Sequence, residues 1–199
     1  MLAEFSNQCR KTIPPITKQT YQEVNVKKIL VLMLLCAVPA LASAQAPTII
    51  QQEEMKKMSF LIGNWKGEGW MVTPDGKRHT FRQTERIQSK LGGLAILIEG
   101  EGKRMEDDQT FFQSLAIMNY DEKNKRYRFI AHTNLGPYSD SEAKLIEGGM
   151  EWDFRIPQVG RIRYTIKLTE KGDWFEIGEF SSDEKSWQKF LEMTLKRVN

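Results

Sequence analysis

Residues 150–156 read MEWDFRI and residues 161–168 read RIRYTIKL, two short runs joined across a turn at Val159-Gly160. Met150, Trp152, Phe154 and Ile156 alternate with polar residues in the first run, and Ile162, Tyr164, Ile166 and Leu168 do so in the second. Successive side chains of a strand point to opposite faces, so a period of two gives each run one buried and one wet face. Two such runs flanking a glycine-bearing turn predict a β-hairpin.

The pattern extends outward over the chain from Gly63 onward. Turn chemistry interrupts it at Thr73-Pro74-Asp75-Gly76, Leu91-Gly92-Gly93, Asp121-Glu122-Lys123-Asn124, Asn134-Leu135-Gly136-Pro137, Gly148-Gly149, Lys171-Gly172-Asp173 and Ser182-Asp183-Glu184, all rich in residues that accept tight-turn geometry. Ten strands are predicted, near residues 64–72, 77–88, 94–103, 110–120, 126–133, 140–147, 150–156, 161–169, 174–180 and 187–197. Closure removes the edges that an open sheet must protect, so the predicted fold class is all-β, an antiparallel up-and-down barrel of about eight to ten strands. A sandwich is the alternative. Met55, Met58 and Ile62 recur at helical spacing, which predicts a short helix over Gln51–Leu61 closing one end. A barrel wider than the eight-stranded case is expected to hold an internal cavity.

Upstream, Lys27-Lys28, an apolar run from Ile29 to Val38, Pro39 and Ala42-Ser43-Ala44 have the layout of a secretory signal peptide cleaved after Ala44. Residues 1–25 are mixed and polar, which suggests a misassigned start with translation beginning at Val26. The expected domains are therefore the extension 1–25, the leader 26–44 and one barrel domain over 45–199, periplasmic or secreted. After residue 45 nothing approaches the ~20 continuous apolar residues of a membrane span. The chain carries 29 Lys and Arg against 26 Asp and Glu, and removing the five bases and two acids of residues 1–44 leaves 24 of each. That balance argues against nucleic acid as a partner, although residues 123–129 interleave bases with aromatics. Both cysteines, Cys9 and Cys36, precede residue 45, so stability must come from packing and not from disulfides.

Gly63-x-Trp65-x-Gly67-x-Gly69 follows the predicted helix at the entry to the first strand. This opening resembles that of lipocalin-like (calycin) barrels. The longer form is similar to nitrobindin and to an uncharacterised family of exported bacterial lipocalin-like barrels. Phe81-Arg82-Gln83-Thr84-Glu85-Arg86, Lys90-Leu91-Gly92-Gly93, residues 162–166 and the ending around Trp187, Phe190 and residues 192–195 support the second resemblance, which spans about Met55 to Arg197. The nitrobindin likeness implies a ferric haem held by a histidine on a late strand. Residues 150–199 contain no histidine, and Tyr164, Met193 or His132 would have to serve instead. No haem or other cofactor is therefore expected.

The catalytic inventory is thin: two histidines, no cysteine after residue 44, no nucleophile elbow and no zinc motif. No catalytic residue and no metal site is predicted. On the first strand Trp65, Gly67, Gly69 and Met71 share one face. This fits a barrel floored by Trp65 with space above the glycines, or glycines that relieve a bend. Glu85, Glu99, Glu179 and Glu192 each share parity with an apolar residue, so they are candidate inward carboxylates, with a surface ion-pair lattice as the alternative. Trp152, Tyr164 and His132 complete the candidate cavity residues. The expected function is binding of a small, mainly apolar molecule. The rival classes are an enzyme using cavity carboxylates and a ligand-free structural or envelope-associated protein. Oligomeric state is not legible.

Overall fold

The computed structural model describes residues 49–198. The predicted leader and the residues before it lie outside the described residues. Helix α1 (Ile49–Lys57) and a 3-10 turn (Ser59–Leu61) lead into ten strands. These are β1 (Gly63–Val72), β2 (Arg78–Lys90), β3 (Ala95–Arg104), β4 (Thr110–Asp121), β5 (Arg126–Thr133), β6 (Gly136–Ile146), β7 (Gly149–Ile156), β8 (Gly160–Leu168), β9 (Trp174–Ser181) and β10 (Gln188–Val198). Each pairs antiparallel with the next, and β10 returns to β1, with Trp65 opposite Arg197 and Gly67 opposite Leu195. The fold is a closed ten-stranded up-and-down barrel, so no strand of it is left with an unpaired edge. Among the described residues no helix is long and apolar enough to cross a membrane.

The hairpin at Thr73–Lys77 shows why its turn residues are chosen. Gly76 adopts φ 78° and donates its N–H to the Thr73 carbonyl at 2.8 Å, while the Thr73 N–H reaches the Lys77 carbonyl at 2.9 Å. A side chain there would strain the left-handed backbone. The β8–β9 turn repeats the arrangement with Gly172. The β5–β6 connection is tighter than the sequence predicts. Strand β6 begins at Gly136, because Thr133 pairs with Gly136 after the register slips between Ala131 and Thr133.

The helix ends sooner than predicted, at Lys57, and the 3-10 turn takes over its last predicted turn. Met55, Met58 and Leu61 are buried against Trp65, Met118 and Leu195 at one end of the barrel. Side chains fasten the plug: Gln51 Nε2 donates to the Tyr120 carbonyl at 3.0 Å, Gln52 Nε2 to the Gly92 carbonyl at 2.8 Å, and the Tyr127 hydroxyl to the Glu54 carboxylate at 2.7 Å. The dry core therefore sits at the helix end, leaving the opposite end uncovered by it.

Candidate functional site

Above the dry layer the barrel interior becomes aromatic on one wall. Trp152 on β7 stacks on Tyr164 of β8 with centroids 4.6 Å apart and planes at 17°, and it meets Phe129 of β5 at 4.7 Å. Phe154 continues the stack, and Phe190 meets Tyr164 edge-on at 5.9 Å. A bulge between Lys189 and Leu191 lets the consecutive Phe190 and Leu191 both lie over Gly178. Met71, Trp152, Phe154, Tyr164, Phe190 and Leu191 are only half-buried. In a closed barrel, inward side chains meet water only through an end, so this wall is open to solvent on the side away from the helix.

Polar groups stand in the same interior. Glu85 on β2 is 7 % exposed, accepts a 2.7 Å hydrogen bond from Gln83 Nε2 through Oε1, and leaves Oε2 without a partner. Its carboxylate lies on the backbone of β3: a Cβ at Gly100 would sit 2.6 Å from Glu85 Oε1 and 2.5 Å from Ser114 Oγ. Glu176 on β9 is also 7 % exposed and accepts a 2.9 Å bond from Trp174 Nε1. Burial pushes the Glu85 carboxyl up to about 7. Burial and then the neighbouring Glu85 charge push Glu176 up to about 8. Burial, then the Glu176 charge, also holds the Tyr164 phenol above its ordinary range. Neither glutamate has an ion-pair partner among the described residues. Ser141 on β6, opposite Phe129, is buried with its Oγ unpartnered.

A family profile described as "Protein of unknown function (DUF1579)" matches residues 51–197. The chain belongs to the DUF1579 family. No curated protein matches it. Solved structures share its fold, among them the following two. Rv2717c from M. tuberculosis aligns with a TM-score of 0.56 at 11 % identity, over 73 % of this chain and 97 % of that one. An S-type phycobiliprotein lyase, CPES from Guillardia theta, aligns with a TM-score of 0.52 at 9 % identity, over 75 % and 93 %.

In this DUF1579 barrel the candidate residues of the sequence divide. Glu85, Trp152 and Tyr164 face the interior together, with Met71 nearer the open end. Trp65, opposite Glu85 in the β1–β2 register, is 1 % exposed and packs in the dry layer. Gly67 and Gly69 face inward but leave no space. A Cβ on Gly67 would fall on the Thr194 carbonyl oxygen, and one on Gly69 would lie 2.6 Å from Met193 Cβ and 2.8 Å from Phe81 Cζ. These glycines permit close packing of β1 on its neighbours, so the expected space above Trp65 is replaced by Phe81 and Met193.

Four expectations are corrected. Glu99 points outward, 3.9 Å from Arg86, because Leu97 beside it belongs to an apolar outer face that includes the exposed Leu115 and Ile117. Glu179 points outward and takes a 2.8 Å bond from Arg163, since Ile177, which shares its parity, also lies outside. Glu192 points outward to Lys189 at 2.7 Å, because the bulge at Phe190 breaks the parity that aligned them. His132 alternates with the buried Phe129 and Ala131, so it is exposed and stacks on Tyr138 at 5.5 Å. Glu99→Gln and Glu192→Gln should therefore change stability by less than about 1 kcal/mol in urea denaturation, the usual worth of exposed pairs. A larger loss in either would contradict the outward placement.

Sequence reading missed Glu176, Gln83 and Ser141. Glu176 shares parity with Trp174, Gly178 and Phe180, a signal as strong as the one that favoured Glu179. Of the residues that would have to hold the haem implied by the nitrobindin likeness, His132 faces out, and Tyr164 and Met193 face the interior. The other histidine, His79, shares the inward parity of Phe81, with its Nδ1 buried and 3.9 Å from Glu106. Among the described residues no group of three or more His, Cys, Asp or Glu side chains is arranged to hold a metal ion. A groove of about 480 Å³ runs along β1–β4, lined by outward Lys66, Arg86, Glu99, Glu101 and Leu115 and also by Trp65, Glu85, Gly100 and Ser114. Arg86 there pairs with Glu99, and Glu101 with Lys103, while Glu85 Oε2 has no partner.

Proposed function

We propose that this protein is exported and binds a small, mainly apolar molecule inside its barrel. The observation that carries the reading is the half-buried aromatic wall of Trp152, Tyr164 and Phe154 in the same interior as unpartnered polar atoms of Glu85 and Ser141. Binding sites are typically mostly apolar concavities with a few placed polar groups, and a buried polar atom without a partner is costly until something satisfies it. The Lys27-Lys28 to Ala44 leader supports export. An enzyme using the same carboxyls is the second reading, since Glu85 and Glu176 near 7 and 8 are suited to proton transfer at neutral pH.

Native mass spectrometry of protein purified gently from its own host tests the first reading. A retained molecule and a mature chain beginning at Gln45 are the expected results. An intact residue 1 would refute export. In binding assays with an apolar fluorescent probe, Trp152→Ala should weaken uptake about tenfold or more, the loss of one large aromatic contact. Unchanged uptake would place the probe elsewhere, and substrate consumption lost in Glu85→Gln would favour the enzyme.

A further inference from the structure

We infer that the ligand of this chamber is an organic ammonium ion, a protonated amine carrying an aromatic or aliphatic body. The inference rests on the reading that the chamber binds a small molecule, and it adds the sign of the ligand's charge. Three observations converge on it. Two glutamates from opposite sides of the β1–β10 seam, Glu85 and Glu176, are buried in the interior, and among the described residues no base is paired to either. Among the described residues their side-chain hydrogen-bond partners are the neutral donors Gln83 and Trp174. Glu85 Oε2 and Ser141 Oγ are acceptors with nothing to accept. An ammonium group supplies three N–H donors and the missing positive charge. The neighbouring wall is aromatic, with half-buried Trp152 stacked on Tyr164 and Phe154, and electron-rich π surfaces attract cations as well as burying an apolar body.

An anionic ligand would meet two carboxyls, and a neutral hydrocarbon would leave Oε2 and Oγ unsatisfied. The groups that face the pair are Gln83 on β2, Ser114 on β4, Tyr164 and Ile166 on β8 and Trp174 on β9, while β1 contributes Trp65, the register partner of Glu85, β3 contributes Gly100 and β10 contributes Met193. Among the described residues Tyr164 is the other titratable group whose charge couples to the pair, through Glu176, and no base contributes to either carboxyl. With both carboxyls raised, the two glutamates hold protons near neutral pH. Binding an ammonium ion then exchanges a carboxyl proton, released to buffer, for the ligand's charge, so affinity should rise with pH until the carboxyls are ionised.

The probes are phenethylamine, its near-isosteric hydrocarbon propylbenzene, and the anion 3-phenylpropanoate, titrated calorimetrically into the purified protein. At about pH 8, phenethylamine should bind at least about tenfold tighter than propylbenzene, the worth of one charge-assisted hydrogen bond. The anion should bind weakest. In two buffers of different ionisation enthalpy, phenethylamine should release up to about one proton per site near pH 7. Glu85→Gln and Glu176→Gln keep the acceptor oxygens that Gln83 and Trp174 use, and the double variant should bring amine and hydrocarbon within about threefold. If propylbenzene equals phenethylamine in the parent protein, the cation assignment is wrong while chamber binding stands. If neither binds, both readings fall. Tighter binding of the anion would reverse the assigned charge.

Discussion

Trp65→Ala should lower the free energy of unfolding by about 3–5 kcal/mol, the usual cost of removing a buried aromatic side chain. Trp65 is 1 % exposed and has three attachments. Its Nε1 donates to the Leu61 carbonyl at 2.8 Å, its ring meets Trp174 edge-on at 5.6 Å, and the Arg197 guanidinium lies over it at 4.2 Å. Arg197 itself donates to the Phe60 and Ile62 carbonyls. Removing the indole thus opens a cavity between β1 and β9 and loosens the turn that seats the helix. Such a loss is a large part of a domain's stability. Urea denaturation followed by far-ultraviolet circular dichroism measures it. Trp65→Phe, which keeps a ring and gives up the 2.8 Å bond, should cost less, about 1–2 kcal/mol. An unchanged midpoint for Trp65→Ala would show that the end of the barrel is held by something else.

The second large effect is a fall in stability on the alkaline side. The Glu85 and Glu176 carboxyls rise in the folded protein from 4.5 to about 7 and about 8. Between these limits the folded state holds protons that the unfolded chain has released, so unfolding becomes easier as pH rises. Their contribution is fully present below about pH 4.5 and is lost as pH passes through about 7 and 8. Each tenfold gain in a carboxyl's affinity for its proton is worth about 1.4 kcal/mol, so the two together amount to several kcal/mol. The melting temperature of the parent protein should therefore fall between about pH 5 and pH 9. Glu176→Gln should flatten much of that slope and melt higher than the parent at about pH 9, because its amide oxygen still accepts from Trp174 and carries no charge to bury. A parent curve that is flat across this range would mean that the carboxyls meet water or a base.

The ten strands were legible because strand formation is recorded locally, in alternation and in turn residues such as Gly76 and Gly172. Closure followed from the same pattern, since ten successive hairpins leave two edges that satisfy each other. The N-terminal plug was legible from the spacing of Met55 and Met58, although the 3-10 turn carries its final contacts. Which face of each strand turns inward was less legible. On β2 the inward set Phe81, Gln83, Glu85 and Ile87 alternates with Arg82, Thr84 and Arg86, so Glu85 was found. On β9 both faces carry apolar residues, Trp174 and Phe180 inside, Phe175 and Ile177 outside, and parity alone selected Glu179 over Glu176. On β10 the bulge at Phe190 broke the count that placed Glu192 inside.

The sequence by itself determined an all-β chain of ten strands with a helical plug and a Trp65 anchor, because each of these follows from neighbours within a few residues. Only the tertiary structure decided that Gly67 and Gly69 serve close strand packing, because the atoms they make room for belong to β10 and β2. It alone brought Glu85 of β2 and Glu176 of β9 into one interior. Burial raises both carboxyls and the Glu85 charge raises Glu176 further, inside a barrel whose closure joins strands from the two ends of the domain, so the shifts belong to that enclosure and not to either strand.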